Sequence, residues 1–512
     1  MVAVPSLSNI FLSSVAAYAY IPSLIGSLMK RLLYVVPDFY PNTSGYANAC
    51  INFIYGIASP KLDIHVLSFQ PASLPRPQVG ISLHIILSTS PSAMTDAIDS
   101  ELTGRWDVVI CETFENAEIQ NYLLDRLDVD PGSVAVRIHA ATETELFLSR
   151  RSAYYDKQFQ EAKRLARRIQ NIWSTTDYYL NFFKENYCDS LLSAYEKKYA
   201  KVPNFNSVLD ADSLVPSPKV SNFLVSLKGQ SIMLAMGRMS WQGVHQKNFI
   251  NLIDAAYLSR DALSDCHIFI IGNGSYRSHL QNRVLALGLD SLITFIPELE
   301  HMDVRWLMTQ IHAGILISKY EGHSMFCTEC QELGIPMLYS ANTALDEIVL
   351  DEVSGIRVFP DDVMSLAEGL KKMLGFKPKR DEVSLAYQKQ CKLEGLAVRV
   401  RALIDLLAVP LQKPKACVFG TSKGYTSVRD IIRFSYHIDC FSDNNSLLHG
   451  KVLDGVMIVP PQQIGAMDVD IILIASSFYK EIRQQLIDMG LESQKIFFVQ
   501  KDDVFNNPPI DG

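Results

Sequence analysis

The sequence predicts an α/β protein built from several sheets of mainly parallel strands. From residue 31 onward, short apolar runs alternate with stretches of helical length, a pattern typical of βαβ units. The chain has 512 residues, which exceeds the size of one ordinary core. Hydrophobic residues make up 48% and charged residues 20%, so apolar material is sufficient for several packed sheets.

Candidate strands fall into three sets. The first set covers 32–36, 108–111, 134–139 and 172–174, and the second covers 232–236, 268–271, 293–296, 314–318 and 336–339. A polar stretch that contains Pro and Ser follows Asn204 and suits a linker between domains. A helical pattern over 382–409 ends at Pro410, and a third set of strands opens at Ala416.

Charge and cysteine content indicate the partners and the compartment to expect. A formal net charge of -8 and a pI near 5.8 give no basic field for a phosphate backbone, which excludes nucleic acid as a partner. The nine cysteines are odd in number and lie in apolar segments such as 416–418, as reduced core thiols do. We therefore expect a cytoplasmic protein.

Residues 1–28 form an apolar leader without a charged side chain. A secretory signal requires a basic region before its apolar stretch, and Pro22 interrupts a spanning helix. Met29, Lys30 and Arg31 lead directly into the first strand, as at a natural chain start. The leader is therefore interpreted as dispensable or as a segment that rests on a membrane surface, which leaves peripheral contact with the cytoplasmic membrane face open.

The most informative segment runs from Ile317 to Pro336 and predicts a strand, a loop and a helix in turn. Ser324 suits the N-cap of this helix, and Gly334 suits its end. The free backbone N–H groups of Met325 and Phe326 at such a helix start can bind a phosphate.

Two glutamates accompany this segment, Glu321 in the loop and Glu329 in the helix. Open α/β sheets bind ligands in the crevice at the carboxyl ends of their strands, where both carboxylates are expected to lie. A carboxylate accepts hydrogen bonds from two hydroxyl groups at once, which fits a ribose diol or sugar hydroxyls. Taken alone, such a pair is also typical of a solvated helix face.

Together with Gly322, Gly334 and Pro336, Glu321 and Glu329 resemble the EX7E region of glycosyltransferase family 4, and the resemblance extends over most of residues 31–380. It implies the GT-B fold, in which two Rossmann-like domains face a cleft. It also implies that a sugar moves from a nucleotide-diphosphate donor to an acceptor hydroxyl with retention of configuration. The resemblance implies neither a metal nor another cofactor.

Other segments resemble further elements of this family. Arg238 and Lys247 resemble the pair that neutralises the donor diphosphate, although nine positions separate them where the family has fewer. His139 resembles the histidine beside the transferred sugar, and Pro203-Asn204 resembles the element before the domain crossing. The resemblance further implies donor contacts at Gly45, Gly237, Gly272, Gly274, Leu299, Gly322, Ser324, Met325 and Phe326.

The family mechanism assigns a role to each charged residue. It implies that Arg238 and Lys247 stabilise the departing diphosphate, since charge that grows in a transition state is the main target of catalysis. It implies that Glu329 binds the ribose and Glu321 the transferred sugar. His139 would contribute from the opposite domain.

Residues 416–499 predict a third, smaller Rossmann-like domain. The glycine pattern around Gly420 is degenerate, and Asp443 lies about twenty residues further on, where a ribose-binding acid is expected. The segment resembles the small nucleotide- or sugar-nucleotide-binding domains attached to bacterial polysaccharide enzymes. Because it lacks a catalytic Tyr-x-x-x-Lys, we expect an accessory, regulatory or interaction role.

Two other motifs are interpreted as structural. Cys327 and Cys330 form a CxxC without a second ligand pair at zinc spacing, so we expect both thiols to pack in a core. The runs 128–130 and 468–470 resemble a metal-binding DxD in letters alone and are expected to be turn or strand-edge carboxylates.

The predicted organisation comprises an apolar leader (1–28), an acceptor-side domain (29–215), a donor-side domain (216–380), a helical crossover (381–412) and an accessory domain (413–505). The expected activity is hexosyl or N-acetylhexosaminyl transfer from a UDP- or GDP-sugar in glycan, polysaccharide or glycoconjugate biosynthesis. The acceptor could be a glycan, a lipid-linked glycan, a protein or a small molecule. Two alternatives stay open, a catalytically inactive sugar-nucleotide-binding protein and a nucleotide-sugar 2-epimerase.

Overall fold

The structure is a computed structural model that describes residues 29–37, 39, 44–74, 78, 80–86, 91–114, 117–127, 129–139, 153–187, 197–206, 216–217, 220, 230–407 and 413–499. The predicted leader lies outside the described residues, as do Pro41, Asn42 and Thr43 of the loop before Gly45. Within the described ranges, no helix combines the length and the apolar character needed to cross a membrane.

The first domain contains a seven-stranded parallel sheet in the order β3-β2-β1-β4-β5-β6-β7. Its strands are β1 (Lys30–Val36), β2 (Leu62–Ser68), β3 (Ile81–Ile85), β4 (Val108–Glu112), β5 (Val134–Ile138), β6 (Asn171–Ser174) and β7 (Lys198–Lys201). Its helices are α1 (Gly45–Ile57), α2 (Pro91–Glu101), α3 (Ala117–Arg126), α4 (Ala153–Arg168) and α5 (Asp177–Tyr187). Central strands such as β4 are buried throughout because helices cover both faces, which explains their continuous apolar runs.

The second domain contains a six-stranded parallel sheet in the order β10-β9-β8-β11-β12-β13. Its strands are β8 (Ser231–Met236), β9 (Cys266–Ile271), β10 (Ile293–Ile296), β11 (Ala313–Leu316), β12 (Met337–Ser340) and β13 (Gly355–Val358). Its helices are α6 (Trp241–Lys247), α7 (Phe249–Ser259), α8 (Arg277–Ala286), α9 (His301–Gln310), α10 (Met325–Glu332) and α11 (Val363–Gly375). The strand order reverses between β8 and β11, the kind of position at which doubly wound sheets bind ligands.

Two helices, α12 (Arg380–Gln390) and α13 (Leu396–Leu407), follow the second domain. The buried face of α13 packs in the core of the first domain, where Val400 and Ile404 lie beside Leu32 and Ile54. Lys30 and Asp405 add an exposed ion pair at 2.6 Å. The chain therefore crosses back from the second domain to the first.

The third sheet has the order β16-β17-β15-β14-β18-β19 and is mixed, because β16 runs antiparallel to β17. Its strands are β14 (Lys415–Phe419), β15 (His437–Ser442), β16 (Val452–Leu453), β17 (Val456–Val459), β18 (Ile471–Ile474) and β19 (Ile496–Phe498), and its helices are α14 (Lys423–Ser435) and α15 (Tyr479–Asp488). Asp443 accepts hydrogen bonds from the backbone N–H and the hydroxyl of Thr421, at 3.1 and 2.7 Å.

The predicted α/β fold with two Rossmann-like domains is confirmed, whereas the third domain, predicted to be Rossmann-like, has a mixed sheet. The structure also adds strands that the apolar pattern did not indicate. These additional strands of the first two sheets are β2, β3, β7 and β13. β7 and β13 are sheet edges and β2 contains Asp63 and His65, so their sequences lack a continuous apolar run.

The expectations for cysteine are also confirmed. Cys327 and Cys330 lie on the buried face of α10, and every cysteine that the structure describes is a free, buried thiol. Cys188 lies outside the described residues.

Candidate active site between the two domains

Arg238 and Lys247 lie at the two ends of one short segment of the second domain. Arg238 follows β8, and Lys247 is the last residue of α6. A single helix thus takes up the long interval between them. The side chain of Lys247 passes so close to Gly237 that a Cβ atom there would lie 2.7 Å from Lys247 Cγ. The glycine therefore allows the lysine to return to the loop of Arg238.

Lys247 contacts the first of the two predicted glutamates. Its Nζ lies 2.5 Å from Oε2 of Glu321, which also accepts a hydrogen bond of 2.9 Å from the hydroxyl of Ser318. Glu321 is 9% exposed. Its other oxygen makes no hydrogen bond with the described residues, and neither does the exposed side chain of Arg238.

The second glutamate, Glu329, pairs with α9 rather than with Lys247. It lies on α10 and is 3% exposed. Nε2 of His301 lies 2.7 Å from its Oε1, and Nη1 of Arg305 lies 3.9 Å from the same oxygen. Leu299, one of the implied donor contacts, is buried just before α9.

The start and end of α10 agree with the prediction. The hydroxyl of Ser324 accepts from the backbone N–H of Cys327 at 3.5 Å, while the N–H groups of Met325 and Phe326 occupy the first turn and have no intrahelical acceptor. Gly334 closes the helix with a φ of +72°.

The Gly272 to Gly274 turn packs against the loop of Arg238. A Cβ atom at Gly272 would lie 2.0 Å from the carbonyl oxygen of Gly237, and one at Gly274 would lie 2.3 Å from the carbonyl carbon of Met239. The backbone N–H of Met239 also donates to the carbonyl of Asn273 at 2.8 Å. These glycines therefore fix the shape of the Arg238 loop.

In the first domain, His139 follows β5 and belongs to a buried charged cluster. Its Nε2 lies 2.5 Å from Oε2 of Glu112 and 2.8 Å from Nη1 of Arg137. Arg137 also contacts the other oxygen of Glu112 at 3.0 Å, and the hydroxyl of Tyr34 donates to that oxygen.

Burial and charge determine the protonation of this cluster. Burial alone would raise the pKa of Glu112, but Arg137 and His139 together lower it below its usual range. Burial lowers the pKa of His139, against the opposing effect of Glu112 and with a contribution from Arg137. The cluster therefore holds an ionised carboxylate beside a neutral imidazole at neutral pH.

The buried cluster continues into the second domain. Nη2 of Arg137 donates to Oδ1 of Asn204 at 2.7 Å, and Nδ2 of Asn204 donates to the carbonyl of His323 at 2.9 Å. A Cβ atom at Gly322 would lie 2.4 Å from the carbonyl oxygen of His139. His139 and the loop that follows Glu321 are therefore direct neighbours across the domain boundary.

Two further contacts join the domains. A Cβ atom at Gly45, the first residue of α1, would lie 3.6 Å from Cβ of Met325, so the starts of α1 and α10 meet. The carboxylate of Glu347 accepts from the backbone N–H groups of Asp177 and Tyr178 at 2.8 and 2.6 Å and pairs with Lys201. A carboxylate at the start of α5 is favoured by the helix dipole.

Sequence reasoning missed several residues around this site: Glu112, Arg137, His301, Arg305, Ser318, His323 and Glu347. Arg137 could have been found, because a charged residue inside an apolar strand requires a buried partner. Glu112 ends another apolar strand and is the obvious candidate. No local pattern distinguishes Glu347.

Comparisons with protein families place the site in a known domain. Residues 219–390 match the family described as glycosyl transferases group 1, and residues 412–497 match the family described as C2185-like, N-terminal. The second domain, which provides Arg238, Lys247, Glu321 and Glu329, is therefore a glycosyl transferases group 1 domain.

Curated relatives match parts of the chain. An uncharacterized glycosyltransferase of Methanocaldococcus jannaschii is 26% identical over 196 residues, which cover 37% of this chain and 48% of the relative. A glycogen synthase of Mycobacterium tuberculosis is 25% identical over 147 residues, which cover 28% of this chain and 34% of the relative. The chain thus spans about half the length, or less, of these curated relatives.

Solved structures match about three quarters of the chain. Sucrose-phosphate synthase from Thermosynechococcus elongatus aligns with a TM-score of 0.58 at 12% identity, covering 74% of this chain and 99% of that chain. Anabaena HepE in complex with UDP-glucose aligns with a TM-score of 0.56 at 15% identity, covering 73% of this chain and 99% of the HepE chain. The likeness shows the GT-B fold, in which the second domain is the glycosyl transferases group 1 domain.

We expect Gly322→Ala to destabilise the protein because the added methyl group would meet the backbone carbonyl of His139. Overpacking of this kind costs about 1–3 kcal/mol. Gly375→Ala is the matched control, since a Cβ atom there meets nothing within 4 Å. Urea unfolding measures both changes, and equal stability of the two variants would contradict the close contact between the domains.

His323 predicts a pH dependence of stability. Burial lowers the pKa of its imidazole to about 3, with contributions from Arg137 and Lys201. Because the unfolded state binds a proton near pH 6.5, the free energy of unfolding should fall as the pH falls from about 6.5 toward 3, by at most about 1.4 kcal/mol per pH unit from this group.

His323→Gln should flatten that slope, whereas the exposed His437→Gln should leave it unchanged. The measurement is urea unfolding at a series of pH values. Parallel curves for wild type and His323→Gln would show that His323 is not the titrating group.

Proposed function

We propose that this chain is a retaining glycosyltransferase of family 4 that transfers a hexosyl or N-acetylhexosaminyl group from a UDP- or GDP-sugar to an acceptor hydroxyl. The observation that supports this most directly is the contact of 2.5 Å between Lys247 and Glu321 beside the exposed Arg238. Lys247, a cationic group suited to a diphosphate, thus lies next to a carboxylate suited to sugar hydroxyls.

The diphosphate would bind between Arg238, Lys247 and the start of α10. Arg238 makes no ion pair with the described residues, so its charge is available to an anionic ligand. The first N–H groups of α10 add fixed dipoles of the same sign. As the bond to the sugar breaks, negative charge grows on the diphosphate, and preorganised positive groups stabilise that charge.

The sugar would lie between Glu321 and His139. Oε2 of Glu321 is held by Lys247 and Ser318, which leaves Oε1 to accept hydrogen bonds from sugar hydroxyls. The backbone carbonyl of His139 approaches the loop after Glu321 from the first domain, since a Cβ atom at Gly322 would lie 2.4 Å from it. Because its imidazole is neutral, it would interact with a hydroxyl without adding charge.

In the proposed reaction, the acceptor hydroxyl attacks the anomeric carbon on the face from which the nucleotide leaves. A bond forms between this carbon and the acceptor oxygen while the bond to the diphosphate oxygen breaks. The departing diphosphate takes the proton of the acceptor. Because the attack occurs on the face from which the nucleotide leaves, the configuration is retained. Arg238 and Lys247 supply the compensating charge.

A nucleotide-sugar donor agrees with the titles of structures of the same fold. Anabaena HepE was solved with UDP-glucose, and another neighbour was solved with UDP-2-fluoro glucose. For this chain we propose a donor of the same kind. The acceptor would be a glycan, a lipid-linked glycan, a protein or a small molecule, within glycan or polysaccharide synthesis in the cytoplasm or at the cytoplasmic membrane face.

We also propose the division of the chain into an acceptor-side domain (29–215), a donor-side domain (216–380), a crossover (381–412) and an accessory domain (413–505). Each of the three sheets falls within one of these segments. The return of α13 to the core of the first domain supports the crossover.

Nucleotide binding tests the proposal without a known acceptor. We expect UDP, GDP or ADP, or a sugar derivative of one of them, to raise the melting temperature of the wild type in a thermal-shift assay. Saturation to a hundred times Kd corresponds to about 2.7 kcal/mol. Glu329→Ala should lose the shift, whereas Glu368→Ala, on the exposed surface of the same domain, should retain it.

Donor turnover then separates the alternatives. Transfer or slow donor hydrolysis supports the enzyme, a changed sugar in the absence of acceptor indicates an epimerase, and binding without any reaction indicates an inactive binding protein. Folded wild-type protein that shifts with no nucleotide would contradict the proposal.

A further inference from the structure

Arg305 on α9 is a buried arginine whose position the proposed function does not explain. It is 1% exposed, and its Nε and Nη1 atoms make no hydrogen bond with the residues that the structure describes. Nη1 lies 3.6 Å from a carboxylate oxygen of Glu332 and 3.9 Å from Oε1 of Glu329. Such a side chain is costly to bury, because a guanidinium keeps its charge inside a protein.

His301 lies on the same face of α9, one helical turn before Arg305. Its Nε2 contacts Oε1 of Glu329 at 2.7 Å. Both side chains of α9 therefore lie on the Oε1 side of Glu329, with His301 in contact and Arg305 slightly nearer to Glu332. The other oxygen, Oε2, makes no hydrogen bond with the described residues.

The two oxygens of Glu329 can therefore have different roles. The imidazole of His301 restrains Oε1, and the buried guanidinium of Arg305 lies on the same side of the carboxylate, so Glu329 has a fixed orientation. Oε2 keeps its lone pairs for a ligand. The gap of 3.9 Å to Arg305 is too long for a hydrogen bond, and a small movement of Glu329 toward α9 would close it.

We propose that His301 and Arg305 are positioning residues that hold Glu329 for the ribose hydroxyls of the donor nucleotide. The inference rests on the proposed function, in which Glu329 binds the ribose. In this proposal, α9 determines the preference of the site for a ribose diol. Arg238 and Lys247 bind the diphosphate independently of the ribose ring.

The two parts of the nucleotide can therefore be tested separately. Isothermal titration calorimetry would compare UDP, GDP and ADP with the corresponding 2′,3′-dideoxynucleoside diphosphates, which retain the base and the diphosphate. We expect the wild type to bind one ribonucleoside diphosphate at least tenfold more tightly than its dideoxy form, as a hydrogen bond to a charged group implies.

Arg305→Gln and His301→Ala should each reduce this preference about tenfold by weakening the ribonucleotide alone. The Kd of the dideoxy form should stay within about twofold, and Arg305→Lys should restore part of the preference. Arg168→Gln is the matched control, because Arg168 is another buried arginine that pairs with a carboxylate, Asp125 at 2.5 Å, in the first domain. It should leave the preference intact.

A preference that both variants retain, or an equal loss for the two nucleotides, would overturn the inference and leave the proposed function standing. A wild type that binds no nucleoside diphosphate would overturn both. If Arg305→Gln does not fold, His301→Ala and Arg305→Lys decide, since the His301 side chain is 17% exposed and its removal leaves the buried charge paired as before.

Discussion

The placement of the two larger domains depends on the buried guanidinium of Arg137. It lies 3.0 Å from Glu112 and 2.7 Å from Asn204, and Asn204 donates to the carbonyl of His323 in the second domain. Because the guanidinium stays charged, Glu112 must stay ionised and Asn204 must keep its orientation. The loop that follows Glu321 therefore docks on a charged cluster whose members cannot be exchanged singly for apolar residues.

Glu321 and Glu329 are held by their neighbours in the same way. Lys247 and Ser318 hold one oxygen of Glu321, and His301 holds one oxygen of Glu329. In each case the second oxygen makes no hydrogen bond with the described residues. Preorganised groups cost little reorganisation when a ligand binds, so both carboxylates are suited to accept hydroxyl hydrogen bonds in fixed directions.

The sequence predicted the parts of the site that local signals determine. Ser324 and Gly334 bound α10 as expected, because a cap and a left-handed glycine act within one helix. The contacts between the two larger domains were not predictable in this way. Asn204 and His323 lie 119 residues apart in the sequence, and Asp177 and Glu347 lie 170 residues apart. Such pairs depend on how the two sheets meet, which the pattern of a single segment does not encode.

The third domain shows why a similar sheet need not supply a similar site. Asp443 follows β15 at the place expected for a ribose-binding acid, but one oxygen accepts two hydrogen bonds from Thr421 and the other accepts from the N–H of Asn445. Both oxygens of this carboxylate thus stabilise the loops of its own domain. Glu321 and Glu329 each keep one oxygen that makes no hydrogen bond with the described residues, so the proposed recognition of a nucleotide-sugar would concentrate at the junction of the first two domains, whereas Asp443 offers no such oxygen.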